Sequence, residues 1–303
     1  MKKVALLLGA LSLVSSVAYA KEVVPAVEEV VVVEEAPVAA APALRVTNVG
    51  QYIEIDNNSH VNAPEKNANV GEAIHFANVV GLAYDDWTFG LMARKAWSMD
   101  TDDGIHSAGH RIDLDVWKNY ENFSVGARWR QEETYDRWLA RAKYNYGMFS
   151  GWVDAGYQFN NKDANDNIYS EGMPVAVTVG PLTVGYYYEY KDFNGTKSNT
   201  KDQTEEFTQQ ARVMAPLYTG EKLSLGAEYR YQFSQEKEYE TTNGWQENNR
   251  HIAILNANYA LTDALSVYGY YQYEWNKYDG HDGEKDDRSD YYGEFCIGWN
   301  YAF

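Results

Sequence analysis

From Leu44 to the C-terminus, bulky apolar residues recur at every second position, in runs separated by polar clusters. The closing run, Asp290 to Phe303, is the clearest. Tyr291, Phe295, Ile297, Trp299, Tyr301 and Phe303 share one face, and Glu294, Gly298 and Asn300 share the other. A period of two is that of a β-strand, and aromatics opposite polar or tiny residues suit a strand with lipid outside and water inside. Alternating segments fall near 44–56, 72–85, 87–98, 107–118, 122–133, 136–146, 149–160, 167–179, 182–192, 204–216, 222–236, 247–261, 264–278 and 289–303. They predict an all-β fold, an antiparallel up-and-down transmembrane β-barrel of about 14 strands covering 44–303; an even number is what a single-chain barrel requires.

The connections alternate as well. Short turns are expected at Asp85-Asp86, Asn119–Asn122, Gly147–Ser150, Gly180-Pro181, Leu217–Glu221 and Thr262-Asp263. Between them come longer polar links at Asn57–Gly71, Met99–His106, Asn161–Asp166, Phe193–Gln203, Lys237–Gln246 and Asp279–Arg288. A barrel with a periplasmic and an outer rim shows this rhythm. Thr134-Tyr135 breaks it with a tight turn where a long loop is due. Either that hairpin is low on the outer rim or its strands run beyond the membrane.

Composition changes the picture only once the alternation is accepted. A mean hydropathy of -0.55, a net charge of -18 and 15% aromatic residues describe a soluble acidic protein with too many rings. After the N-terminal segment no stretch approaches eighteen apolar residues, so no helical span is expected. A barrel needs only half of each strand to face lipid, and 26 Tyr and 9 Trp fit its interfacial girdles. An exported β-sandwich would also alternate, but its core would hold too few of these rings. The acidic charge argues against nucleic-acid binding.

The N-terminus indicates export. Met1-Lys2-Lys3 is basic, Val4 to Val17 is apolar, and Ala18-Tyr19-Ala20 is a small-x-small cleavage site, so 1–20 reads as a signal peptide. A first transmembrane helix is the rival, but its apolar core is too short. No cysteine follows the cleavage site, which argues against a lipoprotein anchor. Residues 21–43 contain only valine, alanine, proline and glutamate after Lys21, and are expected to form a low-complexity periplasmic extension. Pro25, Pro37 and Pro42 limit the alternative, in which Val30 to Val33 adds a strand or plugs the pore.

Parity assigns the lumen. On 122–133, Phe123, Val125, Ala127 and Trp129 point out, so Arg128 and Arg130 point in; on 136–146, Trp138, Ala140, Ala142 and Tyr144 point out, so Arg137, Arg141 and Lys143 point in. The same rule turns Arg94, Arg111, Asp113, Asp115, Asp154, Glu189, Lys191, Arg212, Glu228, Arg230, Glu274 and Glu294 inward. Arg or Lys on the lipid face at mid-depth would cost about 2–4 kcal/mol, which enforces the partition. So many charges cannot fill a dry core. Bases gather on the third to sixth strands and acids on the later ones, which would set a transverse field across an aqueous path. The rival reading is that these groups pair and stiffen the wall. Tyr187, Tyr268, Tyr270 and Tyr292 point inward too, where they would stack on sugars or simply fill the wall.

Other chemistry is poorly marked. Cys296, the single cysteine, excludes an internal disulfide and reads as an inward space-filler. His106, Ser107 and His110 are expected in one loop near Asp102 and Asp103, but no nucleophile motif accompanies them, so no enzyme is expected. His60, His75, His251 and His281 are scattered, and no metal site or cofactor is expected. The outer loops carry Asp100, Asp102, Asp103, Glu236, Glu238, Glu240, Asp279, Asp282, Glu284, Asp286 and Asp287. They form either a cation-attracting mouth that bridges lipopolysaccharide through divalent ions or a repelling, solvated surface.

The stretch Ala264-Leu-Ser-Val-Tyr-Gly-Tyr-Tyr-Gln-Tyr-Glu-Trp-Asn-Lys277, the acidic loop from Asp279 to Asp287 and the close Gly298–Phe303 resemble the end of the outer-membrane protein G family of monomeric porins. Thr208–Leu217 resembles a matching strand end there. The 21–43 segment departs from that family and looks like the leaders of major porins of anaerobic Gram-negative bacteria. The resemblance implies a fourteen-stranded monomeric channel in the cell outer membrane. It also implies that the terminal aromatics Tyr301 and Phe303 act as the signal read by the barrel-assembly machinery. The partners would be outer-membrane lipid, lipopolysaccharide and small hydrophilic solutes; a flat tyrosine-rich wall also suits a trimer. Function is then a passive porin, with a surface adhesin using its acidic loops, or a sugar- or peptide-specific channel, as competing readings.

Overall fold

The structure is a computed structural model that describes residues 43–60, 69–100, 104–161, 164–194, 203–239, 247–279 and 289–303. The expected signal peptide, the 21–43 extension up to residue 42, and the loop acids Asp102, Asp103, Glu240, Asp282, Glu284, Asp286 and Asp287 lie outside the described residues.

Fourteen strands form: β1 (Arg45–His60), β2 (Asn69–Tyr84), β3 (Trp87–Asp100), β4 (Gly104–Asn119), β5 (Phe123–Glu132), β6 (Tyr135–Tyr146), β7 (Phe149–Asn160), β8 (Asp166–Val179), β9 (Leu182–Asn194), β10 (Gln203–Thr219), β11 (Leu223–Tyr239), β12 (Glu247–Ala260), β13 (Leu265–Asp279) and β14 (Ser289–Ala302). Each pairs antiparallel with its sequence neighbours, and β14 pairs with β1 to close the barrel. Closure leaves no sheet edge, which a membrane would not tolerate.

One rim holds the short turns and both ends of the barrel chain. Asp85, Gly147 and Gly180 adopt φ of 51°, 61° and 58° there, the left-handed conformation that a tight hairpin needs. At this rim the strands end within three residues of where alternation places them. At the other rim they run further: β1 reaches His60, β2 starts at Asn69, β4 starts at Gly104 and β11 reaches Tyr239. Hydrogen-bonded ladder therefore takes up much of the links expected at 57–71 and 99–106. Above lipid both faces are wet, so hydrophobic alternation fades while backbone pairing continues.

Wall height varies around the barrel. β5 and β6 have 10 and 12 residues, against 17 each in β10 and β11, so the tight Glu133-Thr134 hairpin sits low on its rim. The outer face carries exposed apolar side chains such as Leu114, Trp138, Val184, Leu255 and Ile297. A water-soluble surface does not carry such a continuous band.

Two inward rings lie on glycines of the next strand. Trp117 is directly opposite Gly126, and Tyr268 directly opposite Gly298. A Cβ on Gly126 would sit 2.8 Å from Trp117 Cε3, and one on Gly298 would sit 2.6 Å from Tyr268 Cζ. Glycine leaves the space that each ring covers.

Candidate functional site

The candidate site is the inner wall. Strand register decides which charges meet there, because directly opposed residues share a face. Arg128 opposes Asp115, Arg130 opposes Asp113, and Arg141 opposes Asp154. Each opposed pair is bonded: Arg128 Nε donates to Asp115 Oδ1 at 2.8 Å, Arg130 Nε to Asp113 Oδ1 at 3.0 Å, and Arg141 Nε to Asp154 Oδ2 at 2.9 Å. Arg111 adds a second guanidinium to Asp113, with Nη2 2.6 Å from Oδ2, and lies 3.8 Å from Glu132. Arg141 also crosses β5 to Asp115, with Nη1 2.5 Å from Oδ1. The three aspartates are buried, and every one is held by at least one arginine.

Three cations of the wall are held without a carboxylate. Arg137 donates to the amide oxygen of Gln158 and lies 3.5 Å over the Tyr169 ring. Lys143 lies 4.5 Å over Trp117, whose indole also faces Arg141 at 4.7 Å. Arg212 donates to Gln210 at 2.9 Å and lies 3.6 Å over Tyr187. A ring quadrupole and an amide dipole stabilise these charges without cancelling them.

The rest of the circumference is more acidic. Lys191 bridges Glu189 at 3.1 Å and Glu206 at 3.4 Å, Arg230 meets Glu228 at 2.5 Å, and Arg250 meets Glu274 at 3.4 Å. Glu294 accepts from Tyr270 and Tyr292, and Tyr270 also reaches Glu54 at 2.9 Å. Glu54 in turn meets Arg94 at 3.3 Å. Among the described residues, cations outnumber carboxylates on the inner face of β3–β7, and carboxylates outnumber cations on the remaining strands. The charge contrast is thus a residue left after extensive pairing.

Glu54, Asp56, His75, Glu132, Glu171, Glu206 and Arg250 also lie on inward rungs, although parity was not applied to them above. Glu54 and Asp56 alternate with Ile53 and Ile55 and were legible from the same rule. Glu171 was hidden by the register shift between Gly172 and Val175. Tyr187 and Tyr268 are buried, and Cys296, also inward, is 2% exposed.

The expected loop of His106, Ser107 and His110 is instead part of β4. A bulge between Gly109 and Ser107 shifts the side-chain phase, so His110 opposes the outward Lys95 while His106 opposes the inward Ser98. The two imidazoles point to opposite faces and cannot form a metal pair. At the seam, Phe303 donates its N–H to Thr47 O at 3.0 Å, and the Tyr301 and Phe303 rings meet edge-on at 5.0 Å.

No family model and no curated protein matches the chain. Among solved structures, a bacterial polysaccharide outer-membrane secretin aligns at a TM-score of 0.51 with 13% identity, over 84% of this chain and 98% of that one. OmpT, an outer-membrane protein of Vibrio cholerae, aligns at 0.46 with 12% identity over 88% and 100%, and an anion-selective porin from Comamonas acidovorans at 0.45 with 11% over 86% and 100%. At such identities the likeness is one of fold alone, that of a closed β-barrel.

Proposed function

We propose that this protein is a porin of the outer membrane, exported by a cleaved signal peptide at 1–20, through which small hydrophilic solutes and ions diffuse passively. The observation that carries this reading is the placement of ion pairs. Charged rungs occur around nearly the whole inner face, whereas the outer face is apolar at the same height. A dry lumen would impose several kcal/mol of desolvation per ion, so water fills the space that the side chains leave. The inward Arg94, Arg111, Arg128, Arg130, Arg137, Arg141 and Lys143 line one side of the path, and Glu189, Glu228, Glu274 and Glu294 line the other. The field between them orders water and dipolar solutes and disfavours apolar ones.

Tyr301 and Phe303 serve as the assembly signal at the periplasmic rim, and the barrel works as a monomer among lipid and lipopolysaccharide. Residues 21–43 extend into the periplasm. Specific stacking on sugars is the weaker reading, because Arg212 covers a face of Tyr187, Tyr268 is buried, and the Tyr270 and Tyr292 hydroxyls are bound to Glu294.

Planar-bilayer recordings of the refolded protein, with and without residues 21–43, test the proposal. Discrete ion steps are expected from both forms; no steps from either would overturn it. Deleting Lys237–Gln246 and Asp279–Arg288 separates the adhesin reading, which requires adhesion to be lost while conductance persists.

A further inference from the structure

On the inner face of β1 and β2, Glu54, Asp56 and His75 converge so that one ligand atom from each lies within 4.8 Å of the others. Register explains the cluster. His75 opposes Glu54 directly, and Asp56 stands two residues along β1 on the same face. His75 Nε2 is 3.2 Å from Asp56 Oδ2 and 4.0 Å from Glu54 Oε1. Metal–ligand bonds of about 2.0–2.2 Å place neighbouring donors roughly 3–3.6 Å apart, so a small closure of Glu54 completes three ligands.

A separate observation indicates that the cluster lacks something. Asp56 Oδ1 and His75 Nδ1 are both shut off from solvent without a hydrogen bond of ordinary length, and the Tyr292 hydroxyl is the group that approaches the Asp56 carboxylate. An uncompensated carboxylate oxygen is costly, and a cation drawn into its group would compensate it. The surroundings add negative charge: Glu294 opposes Asp56 across the β1–β14 seam, and Arg94 is the guanidinium bonded to Glu54.

We propose that Glu54, Asp56 and His75 form a divalent transition-metal site in the barrel wall, of the class that takes Zn²⁺ or Co²⁺. An imidazole beside two carboxylates suits these borderline ions, whereas Mg²⁺ and Ca²⁺ prefer all-oxygen shells. Three protein ligands leave a coordination position for water or a lumen anion. Arg94 competes with the ion for Glu54.

The site is tested on the refolded full chain in detergent, by calorimetry with Zn²⁺ and by visible absorption with Co²⁺, with Mg²⁺ as control. Neither readout depends on conductance, so the site and the porin reading can fail separately. Wild type should take up about one Co²⁺ with ligand-field bands that Zn²⁺ displaces and Mg²⁺ does not. His75→Gln and Asp56→Asn should each weaken binding about tenfold or more, and Arg94→Ser should tighten it. Absence of saturable Co²⁺ binding in wild type overturns the proposal whatever the variants do. So does an unchanged spectrum and affinity in folded His75→Gln, which would assign the ion to the acidic loops.

Discussion

Asp115 Oδ1 accepts from Arg141 Nη1 at 2.5 Å although the two residues stand on strands that are not neighbours, with β5 between them. The rung of β5 opposite Arg141 is Gly126, which has no side chain to block the crossing. Asp115 also binds Arg128, and Arg141 also binds Asp154, so four charges from β4–β7 share one network. Breaking a buried pair by removing one partner leaves an uncompensated charge, at a cost of about 3–5 kcal/mol. Asp115→Asn should therefore destabilise the barrel by about 3 kcal/mol, the low end of that range because the proposed pore is water-filled. Urea unfolding of the refolded protein in lipid measures it. A change below about 1 kcal/mol, the size of an exposed pair, would count against the network.

Gly126 should tolerate no side chain. A Cβ there would lie 2.3 Å from Val116 O, a backbone atom that cannot turn aside, as well as pressing on Trp117. Gly126→Ala should cost about 1–3 kcal/mol, the usual range for overpacking, and should lower the refolded fraction. Gly147→Ala would meet nothing within 4 Å and acts only through its positive φ, so it serves as a milder comparison. Equal refolding of Gly126→Ala and wild type would show that β4 and β5 have slack that the register does not suggest.

These two cases show what the sequence could tell and what it could not. Parity turns Arg128, Arg141 and Asp115 inward, because the lipid face admits few charges. Parity names a face but not a partner. That Arg141 reaches Asp115 depends on register across three strands, and register is set by turns and bulges rather than by alternation. His106 and His110 were expected in a loop because polar residues surround them; β4 instead runs through both, and one extra residue at Gly109, whose φ is 131°, reverses the face beyond it. Strand ends at the short-turn rim were legible because Asp85, Gly147 and Gly180 mark them chemically. The far ends were not, since no lipid enforces alternation there.

Ion selectivity should respond to sign rather than to the mere loss of a charged rung. Arg128, Arg130 and Arg141 replaced by Ser remove positive charge, free the carboxylates of Asp115 and Asp154 and leave Asp113 to Arg111 alone, which should shift the reversal potential toward cation preference. Asp115→Asn should shift it the other way. Lys143→Met removes a cation held over Trp117 rather than by a carboxylate, so it should move selectivity as the arginine set does with less loss of stability. Reversal potentials under a salt gradient read all three. Shifts of one sign for both the arginine set and Asp115→Asn would mean that perturbation of the wall, not its field, sets selectivity.

Cys296 reports on how tightly the wall closes. The residue is 2% exposed although it faces the lumen, because it stands between the rungs of Glu54 and Tyr270 on the neighbouring strands. The Tyr270 hydroxyl reaches back to Glu54 and Glu294, so the ring and its hydrogen bonds lie across this part of β14. A maleimide needs direct access to sulfur, and a buried thiol in a packed rung is inert. Folded protein should therefore resist labelling, while urea-unfolded protein reacts completely, as mass spectrometry would record. Tyr270→Ala should open the rung and raise the folded-state rate without unfolding the barrel. Rapid labelling of the folded wild type would mean that solute reaches the wall behind Tyr270, and that the path is wider there than the ring allows.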